Sequence, residues 1–102
     1  MSDSRLALQA LLEDLIASNA VYFQPPTNVQ LVYPCIIYKR DYARTLFADN
    51  LPHRFVKRYM VTVIDRDPDS AIVEKIAALP MCTYNRFYTA DALNHDVFTL
   101  FY

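Results

Sequence analysis

Apolar and polar positions follow a helical period near the beginning of the chain. Leucines recur at intervals of three and four residues, at Leu8, Leu11, Leu12 and Leu15. Polar residues fall between them, so the leucines form one apolar face. This pattern predicts a helix from Ser4 to Ala17.

A second helix is predicted after a turn rich in aspartate. Apolar residues form a stripe between positions 72 and 79, and Pro80 ends it. Asp67 is placed to act as the N-cap, and Pro68 suits the first helical position, where an N–H group has no partner. Alternating carboxylates can also hold Mg²⁺ or Ca²⁺, but an EF-hand loop needs a glycine and a later glutamate that do not fit here. Helix capping is therefore the favoured interpretation of Asp65, Asp67 and Asp69.

Strand-like segments occupy most of the remaining chain. Two long runs rich in β-branched and aromatic residues cover residues 35–47 and 54–65, and residues 48–52 between them have the composition of a turn. They predict one long antiparallel hairpin whose strands are about twice the usual length. Shorter extended segments are predicted at residues 21–23, 29–33, 81–89 and 96–102.

The two halves of this hairpin differ in composition. The inner half is apolar on both faces and is expected in the core, with Ile36, Ile37, Met60, Val61, Val63 and Ile64. The outer half carries cations interspersed with aromatic residues, and a small domain cannot bury such a segment. We therefore expect it to project. The predicted fold is a single α+β domain over residues 1–102: an antiparallel sheet with a long projecting β-hairpin and two helices packed on one face.

Composition excludes several classes of function. The chain has 102 residues, of which 54% are hydrophobic and none is glycine, where average usage would give about seven. Phosphate-binding loops, dinucleotide fingerprints and nucleophile elbows all need glycine, so none of them is present. No apolar run is long enough to span a membrane, and the first residues lack a signal-peptide pattern. Two cysteines are too few for a disulfide framework, which indicates free thiols in a reducing compartment.

Candidate catalytic and metal-binding residues are few. The two histidines, His53 and His95, and the two cysteines, Cys35 and Cys82, show no metal-ligand spacing. Cys35 and His95 could form a nucleophile and base, but Cys35 lies in an apolar strand, which favours an inert core thiol. We expect no catalytic residue, no metal site and no cofactor.

The strongest charge asymmetry lies in the outer hairpin. Residues 39–58 hold six of the ten lysines and arginines against two aspartates, a local net charge of +4. Three interpretations stay open: a subunit interface facing acidic surface such as residues 65–74 of a neighbour, a solvated arm that discourages aggregation, and a nucleic-acid surface. We favour them in that order. The candidate contact residues are Tyr42, Arg44, Leu46, Phe47, Leu51, Arg54, Lys57 and Arg58.

Two segments carry a resemblance to a known family. Residues 59–70 (YMVTVIDRDPDS) and 94–102 (NHDVFTLFY), within a longer match beginning at residue 32, resemble the small tail-terminator and tail-completion proteins that join head and tail in long-tailed bacteriophages. The resemblance implies a non-enzymatic virion protein, assembled in the host cytoplasm into a homo-oligomeric, hexameric ring. Such a ring would contact the tail tube protein and the head connector or stopper protein, with DNA passing through its lumen without specific binding.

Two alternatives remain at this stage. Small neck proteins on the head side, connectors or stoppers, share the general size. A small nucleic-acid-binding module would use the same basic hairpin, and its affinity would fall steeply with salt.

Overall fold

The computed structural model describes the backbone of residues 3–102 and the side chains of residues 5–51 and 55–102. Over this range the elements are α1 (Asp3–Ile16), β1 (Val21–Phe23), β2 (Cys35–Ala48), β3 (Leu51–Asp65), α2 (Ala71–Ala77), β4 (Cys82–Ala90) and β5 (Leu93–Phe101). The α+β class and the long hairpin, formed by β2 and β3, are confirmed.

The five strands form one mixed sheet. Their order is β1-β2-β3-β5-β4, and every neighbouring pair is antiparallel except β1 with β2. The parallel pair departs from the antiparallel sheet expected from sequence. Its physical reason is the connection over residues 24–34, which is long enough to carry the chain back to the starting edge before β2 begins.

The extended segment predicted at residues 29–33 lies in this connection and forms no strand. Leu31 and Tyr33 instead pack against a small apolar cluster made by Ala20, Cys35 and Ile64. Burial of two side chains therefore fixes this segment, in place of ladder hydrogen bonds.

The core lies between one face of the sheet and both helices. Register places Tyr38 opposite Val61 and Val61 opposite Phe98, so these three side chains point to the same face. All three are fully buried, and they join one cluster with Leu8 and Leu12 of α1 and with Ile76 of α2. The prediction that both helices pack on one face is confirmed.

The start of α2 differs from the sequence prediction. Ser70, rather than Asp67, is the N-cap, and its Oγ accepts a hydrogen bond from the Ile72 N–H at 3.3 Å. Asp67 is occupied in a turn of its own, because its Oδ1 accepts from the Asp69 N–H at 2.9 Å. The helix therefore begins three residues later, and Pro68 lies outside it.

Residues other than glycine adopt the left-handed backbone conformations in the tight turns of this chain. The two-residue turns Asp49-Asn50 and Asp91-Ala92 have positive φ at both positions, between 54° and 63°. This is the geometry of a tight hairpin turn whose twist matches the flanking strands. Asp and Asn tolerate it, whereas an alanine Cβ clashes with the backbone at a cost of about 1–2 kcal/mol.

We predict that Ala92→Gly stabilises the fold by about 1 kcal/mol, because relief of the left-handed strain exceeds the entropy that glycine adds to the unfolded chain. The melting temperature should rise by about 4–8 °C in a thermal unfolding scan. Ala90→Gly, two residues earlier in strand conformation, is the matched control and should destabilise by about 0.5–1 kcal/mol. Equal destabilisation by both substitutions would contradict the turn geometry.

Two leucines of α1 offer a matched test of the core. Leu12 is fully buried, whereas Leu6 is 55% exposed. Leu12→Ala should lower the free energy of unfolding by about 2–5 kcal/mol through lost burial and an unfilled cavity. Leu6→Ala should change it by less than about 0.5 kcal/mol. Denaturant titration measures both free energies of unfolding. Similar losses for the two variants would contradict the packing of this face of α1 against the sheet.

Candidate functional site

The outer half of the β2–β3 hairpin extends beyond the rest of the sheet. Pairing of β1 with β2 stops at Tyr38, and pairing of β5 with β3 stops at Arg58, opposite Phe101. Residues 41–57 therefore form a two-stranded extension, which we call the arm. It accounts for the elongated outline of the molecule, 51 × 24 × 23 Å. The expectation that this half of the hairpin projects agrees with the structure.

Both outer edges of the arm lack a neighbouring strand in the described chain. The last hydrogen bond that β3 receives from the β5 side is donated by the Tyr102 N–H to the Lys57 carbonyl oxygen, at 3.1 Å. Beyond it, the backbone groups that face outward can pair with a strand from another chain. Strand addition at such an edge is a general mode of protein association.

A β-bulge at Asp41 separates the arm from the core of the sheet. Register shifts there, so that Arg40 faces Tyr59 and Tyr42 faces Arg58. The carboxylate of Asp41 pairs with the Arg58 Nε at 3.1 Å, and the Arg58 guanidinium lies 4.8 Å from the centroid of the Tyr42 ring. Arg58, which lies at the base of the arm, is thus partly neutralised and carries less uncompensated positive charge than the sequence suggests.

Large apolar side chains are exposed along the arm. Phe47, Leu51 and Phe55 are 67%, 68% and 60% exposed. Register places Phe47 opposite Pro52 and Leu51 opposite Ala48, so the side chains of Phe47 and Leu51 point to opposite faces of the arm. Both faces of the arm therefore expose apolar surface, from positions where contact with another molecule would remove it from water.

An open groove of about 350 Å³ lies where the arm meets the sheet. Four arm residues, Arg44, Leu46, Phe55 and Val56, line it together with Met81, Phe101 and Tyr102. Sequence reasoning placed Arg44 and Leu46 at the site but did not include the other five. Met81 and Tyr102 reach the groove through the register of β5, because the Phe101 N–H bonds to the Met81 carbonyl at 3.1 Å.

The predicted contact residues are spread over the arm and its base. The side chain of Arg54 lies outside the described residues. Four of the others are exposed and three are half-buried: Tyr42, Arg44, Phe47 and Leu51, and Leu46, Lys57 and Arg58 respectively.

The structure separates the one candidate catalytic pair. Cys35 lies opposite Ile64, and Ile64 lies opposite His95, so a strand stands between them and their Cα atoms are about 10 Å apart. The His95 ring stacks on Tyr88 with 4.5 Å between centroids. Cys35 is fully buried, and burial raises the pKa of its thiol to about 11. This geometry is that of an inert core cysteine.

Two structural features are absent from the described residues. There, no three histidine, cysteine or acidic side chains come together in a way that would hold a metal ion. Within the same range, no helix has both the length and the apolar character needed to cross a membrane.

Comparison with known proteins gives no relative. No protein-family model matches the chain, and neither the curated proteins nor the solved structures searched contain a match to it.

The burial of Cys35 predicts slow reaction with thiol reagents. In a Cys82→Ser variant at pH 8, alkylation of native Cys35 should be about 100-fold slower than in the unfolded chain, because burial raises the pKa of the thiol from 9.0 to about 11 and lowers the thiolate fraction by about that factor. A Cys35→Ser variant, which leaves the half-buried Cys82, is the control and should react faster. Mass spectrometry measures both rates. Fast alkylation of native Cys35 would restore it as a candidate nucleophile.

Proposed function

We propose that the protein is a non-enzymatic structural subunit that assembles with copies of itself through the arm. The observation that carries this proposal is the two-stranded arm, whose edges have no neighbouring strand within residues 3–102 and whose exposed side chains include Phe47, Leu51 and Phe55. Aromatic and aliphatic groups of this size favour association because contact removes their apolar surface from water.

The biological setting of this proposal comes from the sequence. Residues 59–70 and 94–102 resemble tail-terminator and tail-completion proteins, so we place the subunit in a ring at the tail-to-head interface of a long-tailed phage. Six copies would surround a lumen through which DNA passes without specific binding. The ring would contact the tail tube protein on one side and the head connector or stopper on the other.

The arm suits a closed ring on physical grounds. Contact between the arm of one subunit and a different surface of the next is heterologous, and repeated heterologous contacts close into a ring when the rotation between subunits is a simple fraction of a turn. A head-side connector or stopper would assemble by the same principle. Electron microscopy of the protein with tail tubes and with head connectors separates these two positions.

Removal of the apolar tip tests the proposal. The double variant Phe47→Ser, Leu51→Ser should weaken assembly by at least about tenfold, since hot-spot side chains each contribute 2 kcal/mol or more. It should also leave tail tubes uncapped. The matched control is Val29→Ser, Val32→Ser, which changes two apolar residues outside the arm that are 38% and 64% exposed. Sedimentation velocity measures the oligomer, and electron microscopy the tube ends.

Two results would contradict the proposal. A wild-type protein that sediments as a monomer at every concentration and leaves tube ends unchanged would show that the arm does not drive assembly. A monomer that binds short DNA with a steep salt dependence would support the nucleic-acid alternative.

A further inference from the structure

β4 is an edge strand with little protection against pairing. It lies at one end of the sheet, and eight of its nine residues are exposed. At the other end of the sheet, β1 has only three residues, and Pro25 and Pro26 follow it closely. Proteins shield an edge with short strands, prolines, bulges and charged side chains. The shielding of β4 consists of one cation, Arg86, and a bulge at Asn85, so its edge can accept another strand.

Backbone hydrogen bonds show which groups of β4 face outward. The Phe101 N–H bonds to the Met81 carbonyl oxygen, so the backbone groups of Met81 point towards β5. These groups alternate in direction along an antiparallel strand, and the bulge at Asn85 shifts the alternation by one residue. Phe87 and Thr89 therefore direct their N–H and C=O groups away from β5, where no strand of the described chain receives them.

The arm has a free edge on the opposite side of the sheet. Pairing of β1 with β2 ends at Tyr38, and the Gln24 Oε1 accepts a hydrogen bond from the Arg40 N–H at 3.3 Å. Beyond this point, residues 41–48 have β3 as their only neighbouring strand in the described chain. This stretch of eight residues is nearly as long as β4, which has nine. The two edges are therefore matched in length and lie on opposite sides of the same sheet.

We propose that this edge of the arm pairs with the outer edge of β4 in a second copy of the chain. The inference rests on the proposed self-assembly and names the surface that receives the arm. β2 and β4 run in opposite directions, so a joint that keeps the helices of both copies on one side of the sheet is antiparallel. Because the two edges differ, each copy can give its arm to one neighbour and receive the arm of another.

The antiparallel joint brings opposite charges together at one end. The base of the arm follows Arg40, and the joint sets it beside the end of β4, where Asp91 begins the turn. Asn94 pairs with Asp65, so residues 65–69, with three aspartates and one arginine, lie at that same end of the sheet. Pairing of two arms would place like charges side by side, which favours β4 as the receiving edge.

Aromatic side chains supply apolar area on both strands. Five of them are between 41% and 67% exposed: Tyr42 and Phe47 on the arm, and Tyr84, Phe87 and Tyr88 on β4. Since a fully buried aromatic side chain removes about 150–250 Å² from water, these half-exposed rings offer on the order of 500 Å². A stable interface needs about 1,200 Å² in total, and the paired backbones with the smaller side chains of both strands supply the rest. The joint is therefore large enough to hold two copies together.

Disulfide trapping between different variants tests the joint. Phe87→Cys labels β4, and Ala43→Cys or Thr45→Cys labels the arm on the same, helix-covered side. Every variant also carries Cys82→Ser, while Cys35 stays buried. Full overlap of the two edges sets Phe87 close to one of the two arm positions, with Cβ atoms about 4.5–5.5 Å apart. Oxidation of the β4 variant mixed with that arm variant should give a covalent dimer, and each variant alone less than about a tenth of that yield.

A substitution on β4 tests the same joint without cross-linking. Phe87→Lys should raise the dissociation constant of the oligomer by at least about tenfold, because it adds a cation to an edge that receives the basic arm and removes one aromatic ring from the interface. The matched control is Val32→Lys, at an exposed apolar residue between β1 and β2, which should stay within about threefold of wild type. Sedimentation velocity measures the dissociation constants, and thermal melts show that both variants are folded.

The outcomes separate this joint from the proposed function. If the wild type assembles, no mixed dimer forms and Phe87→Lys assembles normally, the joint is wrong and the proposed function stands. Dimers of an arm variant alone would show that arms pair with arms, and dimers of Phe87→Cys alone that β4 pairs with β4; either result overturns the joint. Normal assembly of Phe87→Lys with loss of tube capping would assign the β4 edge to the tail tube protein instead. A wild type that neither assembles nor caps tubes contradicts the proposed function itself.

Discussion

The register between β2 and β3 is the constraint on which the rest of the structure depends. The two strands pair from Cys35 opposite Ile64 to Ala48 opposite Leu51, and the same ladder crosses from the core into the arm. Because side chains alternate between faces, a slip by one residue would exchange every buried side chain for an exposed one. The core therefore sets the register at the base of the arm, up to the second register shift between Leu46 and Phe47, although no other strand of the described chain pairs with the arm's outer edges.

The bulge at Asp41 is what changes the arm's chemistry at its base. In an unbroken ladder, Tyr42 would lie on the same face as Arg40, towards the helices. The extra residue rotates Tyr42 to face Arg58 on the opposite side and leaves Arg40 with Tyr59 on the helix side. Arg40 thus stays on the helix side of the sheet, while Arg58 is held by Asp41 on the other side. One inserted residue divides the basic hairpin into two surfaces of different character.

Much of the fold followed from periodicity and turn chemistry. The stripes of α1 and α2, the two runs of the hairpin and the final strand pair were predicted because each has a strong local pattern. The parallel pairing of β1 was not predictable, since it depends on the path of residues 24–34 in space. The N-cap predicted for α2 was wrong because Asp67 and Ser70 both have side chains that can cap a helix. Which of the two does so depends on the turn that Asp67 makes with Asp69.

The candidate site was predictable in outline only. Alternating cations and aromatic residues identified the arm, but Met81 and Tyr102 reach the groove by way of the sheet register, which no local pattern encodes. A site built from four separate segments leaves little trace in any one of them.

The distribution of charge along the chain bears on how copies could meet under the proposed self-assembly. Residues 39–58 carry a net charge of +4, whereas residues 65–69, which follow the far end of β3, hold three aspartates and one arginine. Contact between the basic segments of two copies would bring like charges together and would be disfavoured. Contact between the basic segment of one copy and residues 65–69 of another would pair opposite charges and would leave one basic and one acidic segment open. Association of that kind is directional, since each added copy would present the same two complementary segments. The proposed assembly would then form rings or filaments rather than closed dimers, and the angle between neighbouring copies would decide which of the two forms.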